Sequence, residues 1–167
     1  MRIKMINKIK LENWKSHETS EFNFSPGTNA IIGVMGSGKS SILQGISFAL
    51  FGAFTELKSR EVKIQELINR ASDSENSKII LNFNNINGEE FEVERNISKK
   101  DTSEAILRNK EGNLISGPQV QEVNISIEKL LGVNQNLWLR TVYAKQNEID
   151  YFLNIIPGRR KKEIDEL

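Results

Sequence analysis

Eight residues constrain this chain more than any others: Gly33-Val34-Met35-Gly36-Ser37-Gly38-Lys39-Ser40. They fit the G-x-x-x-x-G-K-[ST] pattern of a phosphate-binding loop. A polyphosphate carries several negative charges, and a protein must meet them with close donors. Glycines let the backbone bend and turn its N–H groups inward. A helix that starts here adds the positive end of its dipole. Lys39 is then placed to reach the β- and γ-phosphates, and the Ser40 hydroxyl to bind Mg²⁺. The flanks agree with the pattern. Asn29-Ala30-Ile31-Ile32 is a short apolar run that predicts a buried parallel strand. Ser41 to Phe51 is apolar around most of a helix, which predicts cover on several sides, and Gly52 is its predicted stop.

Composition narrows the alternatives. The 167 residues suffice for one domain with a core, and 38% hydrophobic with 27% charged residues marks a globular chain. A net charge of +1 means that any nucleic-acid contact needs a local patch. There is no cysteine, which removes disulfides and thiolate metal sites, and one histidine, His17, cannot build a metal cluster alone. No apolar run approaches a membrane span, and the first residues lack a signal-peptide core, so an intracellular protein, cytoplasmic or nuclear, is expected.

Read in order, residues 2–14 alternate and predict a half-buried strand. Asn13 to His17 is a turn, and Thr19 to Phe24 alternates again with Phe22 and Phe24 on one face. These two strands are expected to pair antiparallel and lead into the strand before the glycine loop. Val62 to Arg70 suggests a short helix. Lys78 to Phe83, a turn at Asn87-Gly88, Glu90 to Ile97 and Glu104 to Arg108 predict an antiparallel meander over 78–110, distinct from a parallel core. Pro118 opens a helical pattern that Gly132 stops. Asn134 to Leu139 suggests a helical turn, Thr141 to Ala144 is β-prone, and 157–167 again reads as helix. Trp14 and Trp138 are read as packing residues. The run Arg159 to Lys162 is read as a solvated helix face with Arg159–Glu163 and Lys162–Glu166 pairs rather than a DNA contact.

Phosphate-loop enzymes also hold Mg²⁺ with an acidic residue at the end of an apolar strand. No apolar run here ends in Asp, and Asn109-Lys110-Glu111-Gly112 lacks the Asp of a guanine-specifying motif. The chain therefore carries a phosphate cradle without the second half of a hydrolytic site. It is either part of a split nucleotide-binding head or a divergent enzyme with an unusual acid.

Several further stretches complete a resemblance. They are Leu11-Glu12-Asn13-Trp14-Lys15-Ser16-His17, Phe24-Ser25-Pro26-Gly27, the loop with Ser41-Ile42-Leu43, Phe48-Ala49-Leu50-Phe51-Gly52, and Val142 to Asp150. With these, the whole chain resembles the N-terminal half of the ATPase head of the Rad-fifty family, coiled-coil ABC-type ATPases of DNA double-strand-break repair. The resemblance implies an α/β fold, the N-terminal lobe of a phosphate-loop ABC-type ATPase. It would have a mixed sheet, an antiparallel β subdomain and the start of a coiled-coil helix. Residues 1–156 would form the ATP-binding lobe with the meander inserted, and 157–167 would open the coiled coil. Gln146 looks like the glutamine that touches Mg²⁺ and the attacking water. Lys15 sits where the family has an Arg on phosphate. Ser41 falls in the ATP-binding loop, Ile68, Asn69 and Arg70 fall near positions flanking the adenine, and Met35 replaces a common Asn.

The same resemblance implies the partners and cofactors. ATP and Mg²⁺ would bind here, and Zn²⁺ would bind only in a hook at the coiled-coil tip, outside these residues. The partners would be a C-terminal ATPase half, a second head joined through ATP, the Mre-eleven nuclease near the coiled-coil base, and DNA. The chain would then be an ATPase only when completed, and inactive or weak alone. The competing readings are a split-head ATPase of chromosome structure or recombination, a complete small kinase or GTPase, and a non-catalytic module docking through its last helix.

Overall fold

The computed structural model of the protein describes residues 5–100 and 103–143. The last segment expected to be helical, 157–167, lies outside them, as does Gln146. Six strands form one sheet in the order β2-β1-β3-β4-β5-β6. They are β1 (Ile6–Trp14), β2 (His17–Asn23), β3 (Asn76–Asn84), β4 (Glu90–Ser98), β5 (Glu104–Asn109) and β6 (Leu114–Ser116). Every strand pair among the described residues is antiparallel.

The alternation in the sequence decides which face is covered. Ile79, Leu81 and Phe83 of β3 and Phe91, Val93, Arg95 and Ile97 of β4 are buried, and the residues alternating with them are half-exposed. Cross-strand pairs such as Ile9↔Leu81, Leu81↔Val93 and Val93↔Leu107 run the apolar layer across the sheet. Helices α1 (Lys39–Phe51) and α3 (Val120–Leu131) lie on that face. The open face carries ion pairs such as Lys8–Glu21 and Lys78–Glu94, which at this exposure contribute little.

Helix α1 is the centre of the fold. Nine of its thirteen residues are buried, which explains why its sequence is apolar almost all round. Gly45 lets it approach the sheet. A Cβ there would lie 2.9 Å from Leu11 Cδ2 and 3.3 Å from Ile9 Cδ1. Gly45→Val is therefore expected to destabilise the chain by about 1–3 kcal/mol through overpacking, read as a lower urea midpoint at unchanged slope.

The C-terminus of α1 is closed by groups from three places. Gly52, left-handed at φ 66°, donates its N–H to Phe48 O at 2.7 Å, as the glycine stop predicts. Gln135 Nε2 donates to Phe51 O at 2.8 Å. Arg95, on the covered face of β4 and 2% exposed, donates from Nε to Ala49 O at 2.6 Å and from Nη2 to Leu50 O at 2.9 Å. It also donates from Nη2 to Asn124 Oδ1 on α3 at 2.6 Å. The four carbonyls that a helix leaves without partners are thus all satisfied. The guanidinium sits at the negative end of the helix dipole. Burial pulls its pKa down to about 9, which leaves it cationic at neutral pH.

The antiparallel meander forms as expected, and its first strand, β3, pairs directly with β1, which joins it to the first hairpin in one sheet. Several other expectations change. Residues 29–32, expected as a buried parallel strand, form no strand, and Ile32 is 91% exposed. No strand among the described residues lies beside them to supply hydrogen bonds. Instead Asn29 is held locally, its amide nitrogen donating to Ser25 O at 2.8 Å. Only Ile64–Leu67 of the segment 62–70 is helical, as one 3₁₀ turn. Thr141 and Val142, read as β-prone, belong to a π-helical segment Trp138–Val142 that continues the turn Gln135–Leu137. Burial of Trp138 against Phe51 anchors that segment, outweighing local β propensity. The short helix α2 (Thr55–Lys58) and strand β6 carry no clear sequence signal.

Candidate phosphate-binding site

The site forms where the β1–β2 turn meets the start of α1. The turn is anchored first. Lys15 N–H donates to Leu67 O and Asn69 N–H to Asn13 O, each at 2.7 Å, with Trp14 bridged to Ile68. Asn13 and Lys15 adopt left-handed backbones at φ 50° and 51°. Trp14, fully buried between Phe48 and Phe54, donates its indole N–H to Ser41 O at 2.8 Å. Both tryptophans are packing residues, as expected.

The glycine loop is then shaped by left-handed turns at Gly36 (φ 82°) and Gly38 (φ 86°). A Cβ on Gly36 would meet nothing within 4 Å, whereas one on Gly38 would lie 2.5 Å from Ser16 Oγ and 2.7 Å from His17 Nε2. Gly38 is the N-cap of α1, and no side chain caps this helix among the described residues. Its first turn, Lys39-Ser40-Ser41-Ile42, contains no carboxylate. The leading N–H groups are therefore left to an external acceptor. Lys39 Nζ donates to Gly33 O at 2.9 Å and to Val34 O at 2.7 Å, so the cation lies over the loop. Ser40 is exposed beside it. Uncapped amides, a lysine and a free hydroxyl fit a phosphate chain, and the hydroxyl fits an oxygen-seeking Mg²⁺. No cluster of three or more His, Cys, Asp or Glu that could hold a metal occurs among the described residues.

The other expected ligands are placed differently. Lys15 hydrogen-bonds Gln44 Oε1 on α1, with its ammonium 5.1 Å from the centre of the Phe54 ring. Burial lowers its pKa, with Glu56 and Glu66 opposing that shift. Gln44 passes the contact on, donating to Glu56 Oε1 at 3.0 Å. Ile68 is 1% exposed in the core. Asn69 is also buried, with its Oδ1 accepting from Ala71 N–H at 2.9 Å. Arg70 is exposed and pairs with Glu66 at 3.1 Å.

His17 is a residue whose role the sequence did not reveal. His17 closes one of the stretches that carry the resemblance, but a lone histidine after a polar turn has no periodic signal to show what it contacts. It is 7% exposed, with Nε2 3.1 Å from Gly38 O and Nδ1 2.9 Å from Ser20 Oγ.

A glycine loop with a lysine over it, at the head of an uncapped and largely buried helix, has the form of a P-loop. A family model described as an AAA domain matches residues 8–167, and the chain belongs to that family. It is 35% identical over 98% of its length to the DNA double-strand break repair Rad50 ATPase of Thermoplasma acidophilum, spanning 18% of that protein. It is 32% identical over 98% of its length to the protein of the same description from Methanococcus maripaludis, spanning 15%. The chain thus covers less than a fifth of either relative. Its fold matches the recombination mediator protein RecF, solved with ATP, at a TM-score of 0.61 and 18% identity. That match covers 99% of this chain and 38% of RecF. The resemblance to Rad-fifty ATPases thus stands, and the fold is that of RecF over nearly the whole chain. No helix among the described residues is long and apolar enough to cross a membrane.

Proposed function

We propose that this chain is the Mg-ATP-binding lobe of a DNA double-strand-break repair ATPase. The observation that carries the reading is the cradle itself, uncapped amides at Gly38–Ser41 with Lys39 lying over the loop. The similarity to Rad50 ATPases over nearly the whole chain supports the repair assignment. In this reading the loop amides and Lys39 hold the β- and γ-phosphates and offset charge as water attacks in line. Ser40 and Gln146 would hold Mg²⁺, which would supply neutralisation of the phosphate charge. Lys15 reaches the phosphates only by leaving Gln44, and Ile68, Asn69 and Arg70 border the adenine.

Hydrolysis needs a C-terminal half that brings the acidic groups this chain lacks. Exposure of Ile32 (91%) and Val34 (78%) supports a further lobe covering that side. Two completed heads would close on ATP and open on hydrolysis, controlling DNA binding and the Mre-eleven nuclease in an intracellular setting.

Titration of the chain with fluorescent ATP and Mg²⁺ tests the first step. Lys39→Ala is expected to weaken binding about tenfold or more, the size of a charge-assisted hydrogen bond. Adding the C-terminal half is expected to produce ATP hydrolysis that Lys39→Ala removes. Equal binding by both forms, or full turnover by this chain alone, rules the reading out.

A further inference from the structure

We infer that His17 is a positioning residue that aims the Lys39 backbone N–H at the bound phosphate, an inference that rests on the phosphate-loop reading above. The Gly38 carbonyl can only accept, so the 3.1 Å contact requires His17 to carry its proton on Nε2. Nδ1 is then the acceptor, and Ser20 Oγ, 2.9 Å away, donates to it. The Gly38 carbonyl thus selects the tautomer, and Ser20, whose hydroxyl can donate or accept, completes the pairing of the ring. Phe22, edge-on to the imidazole at 5.9 Å between ring centres, fixes the plane of the ring. The ring is buried, so water does not compete for its N–H.

The consequence follows from the geometry of one peptide unit. The Gly38–Lys39 bond is trans, so the Gly38 C=O and the Lys39 N–H point in opposite directions. One lone pair of that carbonyl takes the Ile42 N–H at 3.3 Å, the first bond of α1. His17 takes the other. With both lone pairs engaged the peptide plane cannot rotate, and the Lys39 N–H is held facing the cradle. Gly38 at φ 86° sits at the hinge and is the residue type least able to resist that rotation unaided. A first strand pair thus sets the aim of a helix whose N-cap lies 21 residues beyond His17.

The test measures Mg²⁺-dependent binding of fluorescent ATP to the full 167-residue chain. It compares wild type, Lys39→Ala, His17→Ala, His17→Gln and Ser20→Ala, well below each melting temperature. His17→Ala is expected to weaken binding about fivefold to tenfold, the effect of one neutral hydrogen bond and its ordering. His17→Gln, whose amide N–H can reach the same carbonyl, is expected to stay within about threefold of wild type. In ¹⁵N spectra the Lys39 amide should shift on ATP addition in wild type and His17→Gln, and far less in His17→Ala. Should His17→Ala fail to fold, His17→Gln and Ser20→Ala carry the comparison, with Ser20→Ala falling below His17→Gln. If Lys39→Ala binds like wild type, the phosphate-loop reading and this inference fall together. If Lys39→Ala loses binding while both His17 variants bind like wild type, only the inference falls. It also falls if Gln fails as completely as Ala, because a mere packing role then suffices.

Discussion

Arg95→Met lowers the stability of this chain by about 2–4 kcal/mol, the largest loss expected from any single polar side chain in the sheet. Arg95 is a buried cation with no carboxylate among its hydrogen-bond partners in the described residues. Its donors instead meet two α1 carbonyls and Asn124. Removing it leaves Ala49 O and Leu50 O inside the core without those donors, and each buried orphan costs about 1–3 kcal/mol. Relief of the guanidinium's own desolvation offsets part of that sum, which is why the net is not larger. Arg95→Lys is expected to recover little, because an ammonium lacks the planar fork that spans both carbonyls. Asn124→Ala removes one contact and should cost about 1 kcal/mol. Urea denaturation checks all three. A midpoint for Arg95→Met equal to wild type would show that the carbonyls find other donors.

Gly38→Ala is expected to leave the fold largely intact and to weaken Mg-ATP binding roughly 30- to 150-fold. The glycine holds φ 86°, where a Cβ costs about 1–2 kcal/mol. That Cβ would also stand 2.7 Å from His17 Nε2 and 2.5 Å from Ser16 Oγ, so the imidazole must leave the carbonyl, a further loss of about 1 kcal/mol. The contrast is Gly36→Ala. Gly36 is equally left-handed at φ 82°, but open space surrounds its Cβ position. It should carry the backbone strain without the clash and lose clearly less affinity. Equal losses at the two positions would mean that contact with the β1–β2 turn has no part in shaping the loop.

Much of this architecture could be read from local pattern. The loop from Gly33 to Ser40, helix α1 with its stop at Gly52, the strands 78–83 and 90–97 with the turn at Asn87-Gly88, and helix α3 ending at Gly132 all follow rules of short range. Period, turn chemistry and a left-handed glycine need only neighbours a few residues away. Arg95 could have been flagged too. It falls in register with Phe91, Val93 and Ile97, so a charge stood where the alternation called for an apolar residue. The misreading of residues 29–32 has the opposite cause. Apolar content there matches a buried strand, but a strand needs an adjacent partner, and none lies beside it among the described residues.

Composition and spacing alone thus pointed to the chemical type proposed for the site: a glycine-rich turn, a lysine and a hydroxyl at the head of an apolar helix suit a phosphate chain. Only the folded arrangement decided who holds that turn in place. The contacts of His17 with Gly38, Trp14 with Ser41 and Arg95 with Ala49 span 21, 27 and 46 residues. Such contacts come from how β1 and β4 register beneath α1, and no local pattern encodes that register. It is fixed when the apolar faces of sheet and helix pack together, and that depends on the whole chain at once.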